Sequence, residues 1–417
     1  MILNILVKSQ LYLIISLPFL LISGPALSDI AISLTGILFI IYFLISKNKN
    51  VLDLKILLFF FIFYFLIILS SILSDNIKLS FESSLFYFRF LFFIFSIKLV
   101  FSSDKIYFKY FFYSFLITFI VLICDSFYQY FLGYNILGFE YDGMRLSSLF
   151  NDEKKMGSYF ARLTPVFLGL SILIYGNSKR KIIYILSLIL IIDVIVILTG
   201  ERSAIFYVLL STALITFTIK RWKIYRLLAF AISIIISLII IYSDETIKER
   251  VILKTLDQTN ILNQKVNTFS IQHQIIYATA FKIFNENKLI GIGPKLFREK
   301  CKIQKYKTYT LEDQSIDGCQ THPHNTYIEL LVETGIFGFL FILIFFMYLN
   351  YILIKHIYYM IFKKFFLISD SNLCFFAAIY INLWPIVPTG SFFNNWLSII
   401  YFLPIGLILP FFDKNKY

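Results

Sequence analysis

Two histidines stand two residues apart where a polar loop of the chain meets a long apolar segment. The stretch from Gln320 to Gly338 reads QTHPHNTYIELLVETGIFG and holds His322 and His324, two of only four histidines in the chain. Asn325 is a good helix N-cap, so a helix is predicted to begin directly after it. The positive end of that helix favours a neutral imidazole, which accepts a proton near pH 7. His324 is therefore a candidate general base, supported by His322 and Asn325.

Four further residues of this stretch have structural explanations. Glu329 and Glu333 share one face near the predicted helix N-terminus, where acidic side chains interact favourably with the helix dipole. We interpret both as mainly structural and keep Glu329 as a minor catalytic candidate. Gly335 and Gly338 share another face and are predicted to allow the close approach of a neighbouring helix.

The composition defines the class of protein. Hydrophobic residues make up 59% of the chain and charged residues only 15%. A bilayer core requires about 20 apolar residues per helix, and by this criterion the chain has about twelve spans. We therefore predict an all-α polytopic membrane protein. The predicted spans lie near 9–24, 28–46, 55–73, 84–100, 108–132, 158–176, 182–199, 203–219, 227–243, 326–354, 372–389 and 394–412.

The distribution of charge predicts the topology. Basic residues cluster in alternate short loops and in the C-terminal DKNKY, which places both termini in the cytoplasm and explains the net charge of +13 without a nucleic-acid partner. The first apolar segment is predicted to be a retained signal anchor, because a second span follows at once. The predicted parts are membrane helices 1–9 (residues 1–243), one large far-side, periplasmic loop subdomain (244–325), and helices 10–12 with a cytoplasmic tail (326–417).

In this topology a basic loop lies on the same far side as His324. A basic cluster before a helix N-terminus suits an anionic ligand, because the cations and the free N–H groups both point toward it. Arg162 lies a turn inside the predicted helix, and an ionisable residue at membrane depth is a functional candidate. The alternative for each residue is a solvated loop with interfacial anchors. From Arg145 to Arg162, the charged residues of the chain are Arg145, Asp152, Glu153, Lys154, Lys155 and Arg162.

A tight turn between two apolar helices adds a second basic position on this side. It contains Glu201 and Arg202, and Gly200 allows the reversal. Arginine offers a planar fork of donors that matches phosphate oxygens. The alternative is a Glu201–Arg202 surface pair at the membrane edge. We favour a functional role.

The large loop carries its own signals. A helical stretch near Gln272–Phe284 includes His273, and the Gly-Ile-Gly-Pro segment that follows is interpreted as a turn in the loop interior. It lacks the third glycine of a dinucleotide site. Cys301 and Cys319 both fall in this loop, where an oxidising compartment permits a disulfide, and the pairing is left open. No metal-ligand spacing, Walker loop, intramembrane acidic relay or pair of broken helices is evident.

These segments together resemble a known family. HNTYIELLVETGIFG, from His324, resembles the His-Asn, nine-residue, Gly-x-x-Gly signature of the bacterial O-antigen ligase and polymerase superfamily. RLSSLFNDEKKMGSYFARLTP, from Arg145, and TGERSAIF, from Thr199, resemble two further segments of such proteins. LIGIGPKLF resembles the portion that precedes the His motif. The resemblance covers the topology and roughly residues 140–340.

The resemblance implies a GT-C-like multi-pass enzyme of the bacterial inner membrane that transfers glycan from undecaprenyl diphosphate without a metal or cofactor. It implies that Arg202 and Arg145 hold the diphosphate and that His324 activates the acceptor hydroxyl. There is one departure from the family pattern. Many members carry an arginine in the loop helix, a turn before an aromatic residue, where this chain has His273 before Tyr277.

Three functions follow as hypotheses. The motif favours an O-antigen ligase of lipopolysaccharide biosynthesis, which moves lipid-linked glycan onto a hydroxyl of lipid A-core. A Wzy-type polymerase uses the same donor and a growing glycan as its acceptor, within the same cell envelope. A flippase or exporter of lipid-linked glycan would instead need a hydrophilic transmembrane cavity, and it would not require His324 at a helix mouth. The predicted partners are these glycolipids and the lipids of the inner membrane.

Overall fold

The computed structural model describes residues 1–143, 145–150, 153–253, 255–256, 269–309 and 317–412. Asp152 and the C-terminal DKNKY, which entered the sequence predictions, lie outside the described residues. Within the described ranges all regular structure is helical and no β-strand forms. The predicted all-α polytopic fold is confirmed.

The helices follow the apolar runs, because a backbone in a membrane must satisfy its hydrogen bonds within its own segment. They are α1 (Ile2–Leu20), α2 (Pro25–Ser46), α3 (Leu54–Ile72), α4 (Ile77–Ser84), α5 (Arg89–Ser103), α6 (Ile106–Leu132), α7 (Met156–Tyr175), α8 (Lys179–Leu198), α9 (Arg202–Thr218), α10 (Lys223–Ser243), α11 (Glu245–Lys248), α12 (Ile271–Glu286), α13 (Phe297–Lys300), α14 (Thr326–Phe362), α15 (Asp370–Asn382) and α16 (Asn395–Ile408). Short 3₁₀ turns occur at Lys49–Val51, Ser148–Phe150, Gln304–Tyr306 and Leu409–Phe411, and a π turn at Glu249–Leu253.

The number of membrane spans differs from the sequence prediction. Over the described ranges, 9 helices are long and apolar enough to cross a membrane, and α4 with α5 counts as one of them. The apolar helices α9 and α16 are shorter, and α15 has 13 residues. Each predicted span overlaps a helix, but the count of about twelve stays a prediction.

Helix α7 lies at the centre of the bundle. It packs against α6, α8, α9 and α15, and nearly all its residues from Met156 to Ser171 are buried. Because helices surround it, the polar side chains of α7 face protein and not lipid. This matters for Arg162, which lies in its second turn.

Helix α14 is broken at Gly335, where φ is 68° and ψ is −168°. The break frees backbone carbonyls, and the large loop supplies donors for them. The N–H of Ile292 donates to the carbonyl of Val332 at 3.0 Å, and the N–H of Gly293 donates to that of Glu333 at 2.9 Å. The sequence predicts no break in this span, because the apolar pattern continues through Gly335.

The predicted reason for two glycines is therefore wrong. At Gly335 the approaching segment is the loop backbone and not a neighbouring helix, and a Cβ on Gly338 would meet Thr334 of the same helix. The Gly-Ile-Gly-Pro segment is also more than an interior turn. Gly291 has a φ of 76°, and a Cβ there would lie 2.5 Å from the carbonyl carbon of Glu333. Only glycine allows the loop to dock this closely.

The large loop has a small apolar core of its own and a covalent link. Cys301 and Cys319 form a disulfide with a Cα–Cα distance of 5.0 Å, which answers the question the sequence leaves open. The carboxylate of Glu333 accepts the N–H of Lys295 at 2.8 Å and of Phe297 at 3.2 Å, so α14 holds the start of α13. The core consists of Ile276, Tyr277, Ala280, Ile283, Ile292, Leu296, Phe297, Cys301, Tyr306 and Val332.

Candidate active site

His324 lies in a turn directly before α14. The side chain of Asn325 accepts the N–H groups of Tyr327 and Ile328, so it caps the helix as the sequence predicts. His324 itself has a φ of 56°, in the left-handed region that non-glycine residues rarely adopt. Its carbonyl accepts the N–H of Thr389 at 2.9 Å. The imidazole is thus carried by a backbone that is fixed on both sides.

Three of the four histidines meet at this turn. The ring of His322 lies 4.1 Å from that of His324, and the ring of His273, from α12, lies 5.9 Å from it, centroid to centroid. Burial lowers the pKa of His324. Burial and the neighbouring His324 lower the pKa of His273 to about 4 and that of His322 to about 3. All three rings are therefore neutral at pH 7, which is the form a general base requires.

Three arginines from separate segments form a second group, the arginine cluster (Arg145, Arg202 and Arg250). Arg202 is the first residue of α9 and is repelled by Arg145. Burial lowers the pKa of Arg250, and the charges of Arg145 and Arg202 lower it further. The carboxylate of Asp142 acts in the opposite direction and raises this pKa. The charge of Arg202 also reaches His273. The cluster is therefore continuous with the histidines, and it brings like charges together as an anionic ligand would require.

The two lysines predicted to join this site already have carboxylate partners in their own loop. Lys154 pairs with Asp142, and the Nζ atom of Lys155 lies 2.6 Å from Glu153 Oε2. Such exposed pairs are worth little energy but neutralise charge locally. The charge of each lysine is thus offset within its own loop.

Glu201 joins the α8–α9 turn to α7. Its carboxylate accepts the N–H of Gly157 at 2.9 Å and of Ser158 at 3.0 Å, which satisfies free donors at the start of α7. Burial raises the pKa of Glu201 to about 7, although these hydrogen bonds and the charges of Arg145 and Arg162 act to lower it. Glu201 therefore fixes the turn that carries Arg202.

A comparison with known families supports the resemblance seen in the sequence. Residues 185–343 match the family model described as O-antigen ligase. The match supports the O-antigen ligase and polymerase superfamily, as the motifs predict. It also supports a ligase-like or polymerase-like function and glycosyltransferase-like activity in general. No curated protein matched the chain.

The O-antigen ligase match covers only part of the site. It includes the three histidines and two arginines of the cluster, Arg202 and Arg250. Arg145 and Arg162 lie before the matched segment, and Thr389 lies after it. The roles of these residues must therefore be argued from this structure.

Arg162, a predicted donor-binding residue, is buried inside the bundle. It is 2% exposed, and its guanidinium already donates to Ser158 Oγ at 3.0 Å, Tyr207 OH at 3.0 Å, Thr389 Oγ1 at 2.9 Å and the side chain of Asn382. It also lies over the Tyr207 ring, 4.4 Å from the centroid. A diphosphate would have to displace these partners, and donor binding by Arg162 stays a prediction.

The loop between α15 and α16, residues 383–394, frames the His324 turn. Asn325 donates through Nδ2 to the carbonyl of Pro385 at 2.7 Å. Glu329 accepts Ser391 Oγ at 2.5 Å and the N–H of Phe392 at 2.7 Å. Glu329 thus ties this loop to α14, in agreement with its structural interpretation. No role is predicted for this loop from the sequence.

An apolar cavity of about 120 Å³ lies within the helical bundle, beside the 383–394 loop. Its walls come from α3, α5, α14, α15 and α16 and include Phe59, Phe63 and Phe341. Asn382 and Phe392 also line it, and these residues bind Arg162 and Glu329. The cavity therefore lies next to the frame that holds the His324 turn.

Proposed function

We propose that this chain is an O-antigen ligase-type glycosyltransferase of the bacterial inner membrane, with both termini in the cytoplasm. It moves a glycan from undecaprenyl diphosphate to a hydroxyl of lipid A-core on the periplasmic side. The observation that carries this proposal is the contact of neutral His324 with His273. The charge of Arg202 in turn lowers the pKa of His273, so the two lie near each other. A base for an alcohol and cations for a diphosphate are thus next to each other.

The reaction has one bond-forming and one bond-breaking event. The acceptor oxygen forms a bond to the anomeric carbon of the donor sugar, and the bond from that carbon to the diphosphate oxygen breaks. The acceptor proton passes to His324, and the electron pair of the broken bond leaves with the diphosphate. A positioned general base contributes about 10²–10⁴-fold in rate.

The arginine cluster stabilises the leaving group in this proposal. Charge develops on the diphosphate as the glycosidic bond breaks, and fixed cations lower the energy of that state. Arg145, Arg202 and Arg250 come from three segments, so they can surround the two phosphates from different directions. The apolar cavity beside Phe341 would hold part of the polyprenyl chain, since its lining is almost entirely hydrocarbon.

Deletion of the gene tests the function, with lipopolysaccharide and lipid-linked glycan resolved separately on gels. The ligase predicts polymer retained on the carrier and uncapped core, restored by the wild-type gene and by Arg180→Ala. Arg180 is exposed in the first turn of α8, at the end of the helix predicted to be cytoplasmic, so it is a matched arginine control. His324→Ala should fail to restore capping while reaching the membrane at normal levels.

Two outcomes would reject the ligase. Core capped with a single repeat unit would identify a polymerase, because ligation would be intact and chain growth lost. Loss of all far-side glycan, with donor trapped on the cytoplasmic side, would identify a transporter.

A further inference from the structure

Arg162 is a buried cation held by neutral groups. Its side chain donates hydrogen bonds to uncharged oxygens of Ser158, Tyr207, Thr389 and Asn382. Within the described part of the chain it makes no salt bridge. Burying a charge that makes no direct salt bridge is unfavourable, so a hydrophobic residue would serve packing better. The residue therefore needs an explanation beyond packing.

Thr389 links Arg162 to the histidine turn. Its hydroxyl accepts from Arg162 at 2.9 Å, and its backbone N–H donates to the carbonyl of His324 at 2.9 Å. A displacement of Arg162 would thus pass through a single residue to His324. The same guanidinium also joins α9 through Tyr207 and α15 through Asn382, so Thr389 is held against three helices.

The backbone of His324 requires such support. A left-handed conformation is unfavourable for an L-residue, and it persists where the surroundings over-determine it. The neighbouring residue is fixed by the same loop, since Asn325 donates to the carbonyl of Pro385. If either anchor were lost, the turn would relax and the imidazole would move.

We propose that Arg162 is a positioning residue, which acts through Thr389 to hold His324 in the left-handed turn that aims its imidazole at the acceptor hydroxyl. The inference rests on the proposed function, because it assigns a role relative to the same base. It gives Arg162 no contact with the donor.

Two substitutions at Thr389 test the link with little risk to folding. Thr389→Val keeps the backbone N–H and the shape of the side chain but removes the acceptor for Arg162, whereas Thr389→Ser keeps that acceptor. Purified protein is assayed with lipid-linked glycan and acceptor, and kcat and donor KM are measured separately. We expect Thr389→Val and Arg162→Lys each to lower kcat by about 10²-fold, as a displacement near 1 Å does, with donor KM almost unchanged. Thr389→Ser should retain activity, and Arg162→Lys with Thr389→Val should be no worse than Arg162→Lys alone.

Other results would overturn the inference. A rise in donor KM for Arg162→Lys, with kcat preserved, would make Arg162 a donor ligand. Wild-type kcat in Thr389→Val would break the proposed link, and multiplying effects in the double variant would make the two residues independent. His324→Ala, assayed in parallel, separates a failure of the proposed function from a failure of the role given to Arg162. Activity in His324→Ala rejects the proposed function, whereas an inactive His324→Ala beside a normal Thr389→Val rejects only the role of Arg162.

Discussion

The imidazole of His273 lies 5.9 Å from that of His324, with the two rings at 84° to each other. His273 also lies in the field of Arg202, so it stands between the candidate base and the arginine cluster. The sequence resemblance predicts an arginine at this place in the loop helix. Because burial lowers the pKa of His273 to about 4, this chain has a neutral group there at pH 7.

Replacing His273 with arginine should therefore strengthen donor binding. A hydrogen bond to a charged group is worth about 1.5–3 kcal/mol, so we expect donor KM to fall roughly tenfold. The measurement is donor KM at fixed acceptor concentration, with His273→Gln as a neutral control of similar size. An equal fall in KM for both variants would show that charge at this position is irrelevant to the donor.

The pH dependence of transfer should follow His324. The ordinary histidine pKa is 6.5, and burial lowers that of His324 below this value. Only the neutral ring accepts the acceptor proton, so kcat/KM should stay high through pH 6.5 and fall as the pH drops through the lowered pKa. Initial rates between about pH 5 and 8 at low substrate concentration measure this limb. An acid limb centred above pH 6.5 would contradict the burial of His324.

Arg250 provides the sharpest test of the arginine cluster, because no sequence motif indicated it. Removing one group that stabilises developing charge costs about 10²–10³-fold, so Arg250→Ala should lower kcat/KM by about 10²-fold. Arg250→Lys should recover part of the loss, since it restores the charge without the planar fork. Arg180→Ala, which removes an exposed arginine outside the site, should change nothing. An Arg250→Ala protein with normal kinetics would remove Arg250 from the diphosphate site.

The contrast between Asn325 and Arg250 explains what a single sequence reveals about this site. Local rules place Asn325, because a helix cap depends on the next three residues. The apolar runs likewise predict every helix of the bundle. Arg250 could not be recognised, because its significance comes from Arg145 and Arg202, which are distant in sequence.

Long-range contacts also decide the surroundings of Arg162 and Gly335. The sequence places Arg162 at membrane depth, but only folding brings Tyr207 and Thr389 beside it. Gly335 looks like a helix-packing glycine because its apolar surroundings are periodic. Its real neighbour is the loop at Gly291, about forty residues earlier, which no periodicity can predict.

The disulfide should stabilise the loop that leads into the His324 turn. Cys301 belongs to the buried loop core, and its partner Cys319 lies three residues before His322. Removing a bridge that closes a loop of this length costs about 3 kcal/mol, so Cys301→Ser should expose the loop to protease and lower activity. Cys124→Ser, at an exposed free cysteine, is the matched control. If the reductant dithiothreitol leaves both the protease pattern and activity of the wild-type protein unchanged, the bridge has no part in holding the turn.

The break in α14 should be intolerant of any side chain at Gly335. An alanine there would adopt a φ near 68°, and its Cβ would collide with the backbone of Leu289 and lie 2.5 Å from the nitrogen of Ile290. Gly133 is a matched control, because it has a φ of 81° but nothing within 4 Å of a Cβ. Gly133→Ala should lower the free energy of unfolding only by the conformational cost of the positive φ, about 1 kcal/mol. Gly335→Ala should lower it considerably more, because the added Cβ also collides with the loop. Thermal unfolding in detergent measures the difference. Equal losses in the two variants would show that the loop does not dock at the break, whereas a larger loss at Gly335, together with reduced transfer, ties this docking to the site.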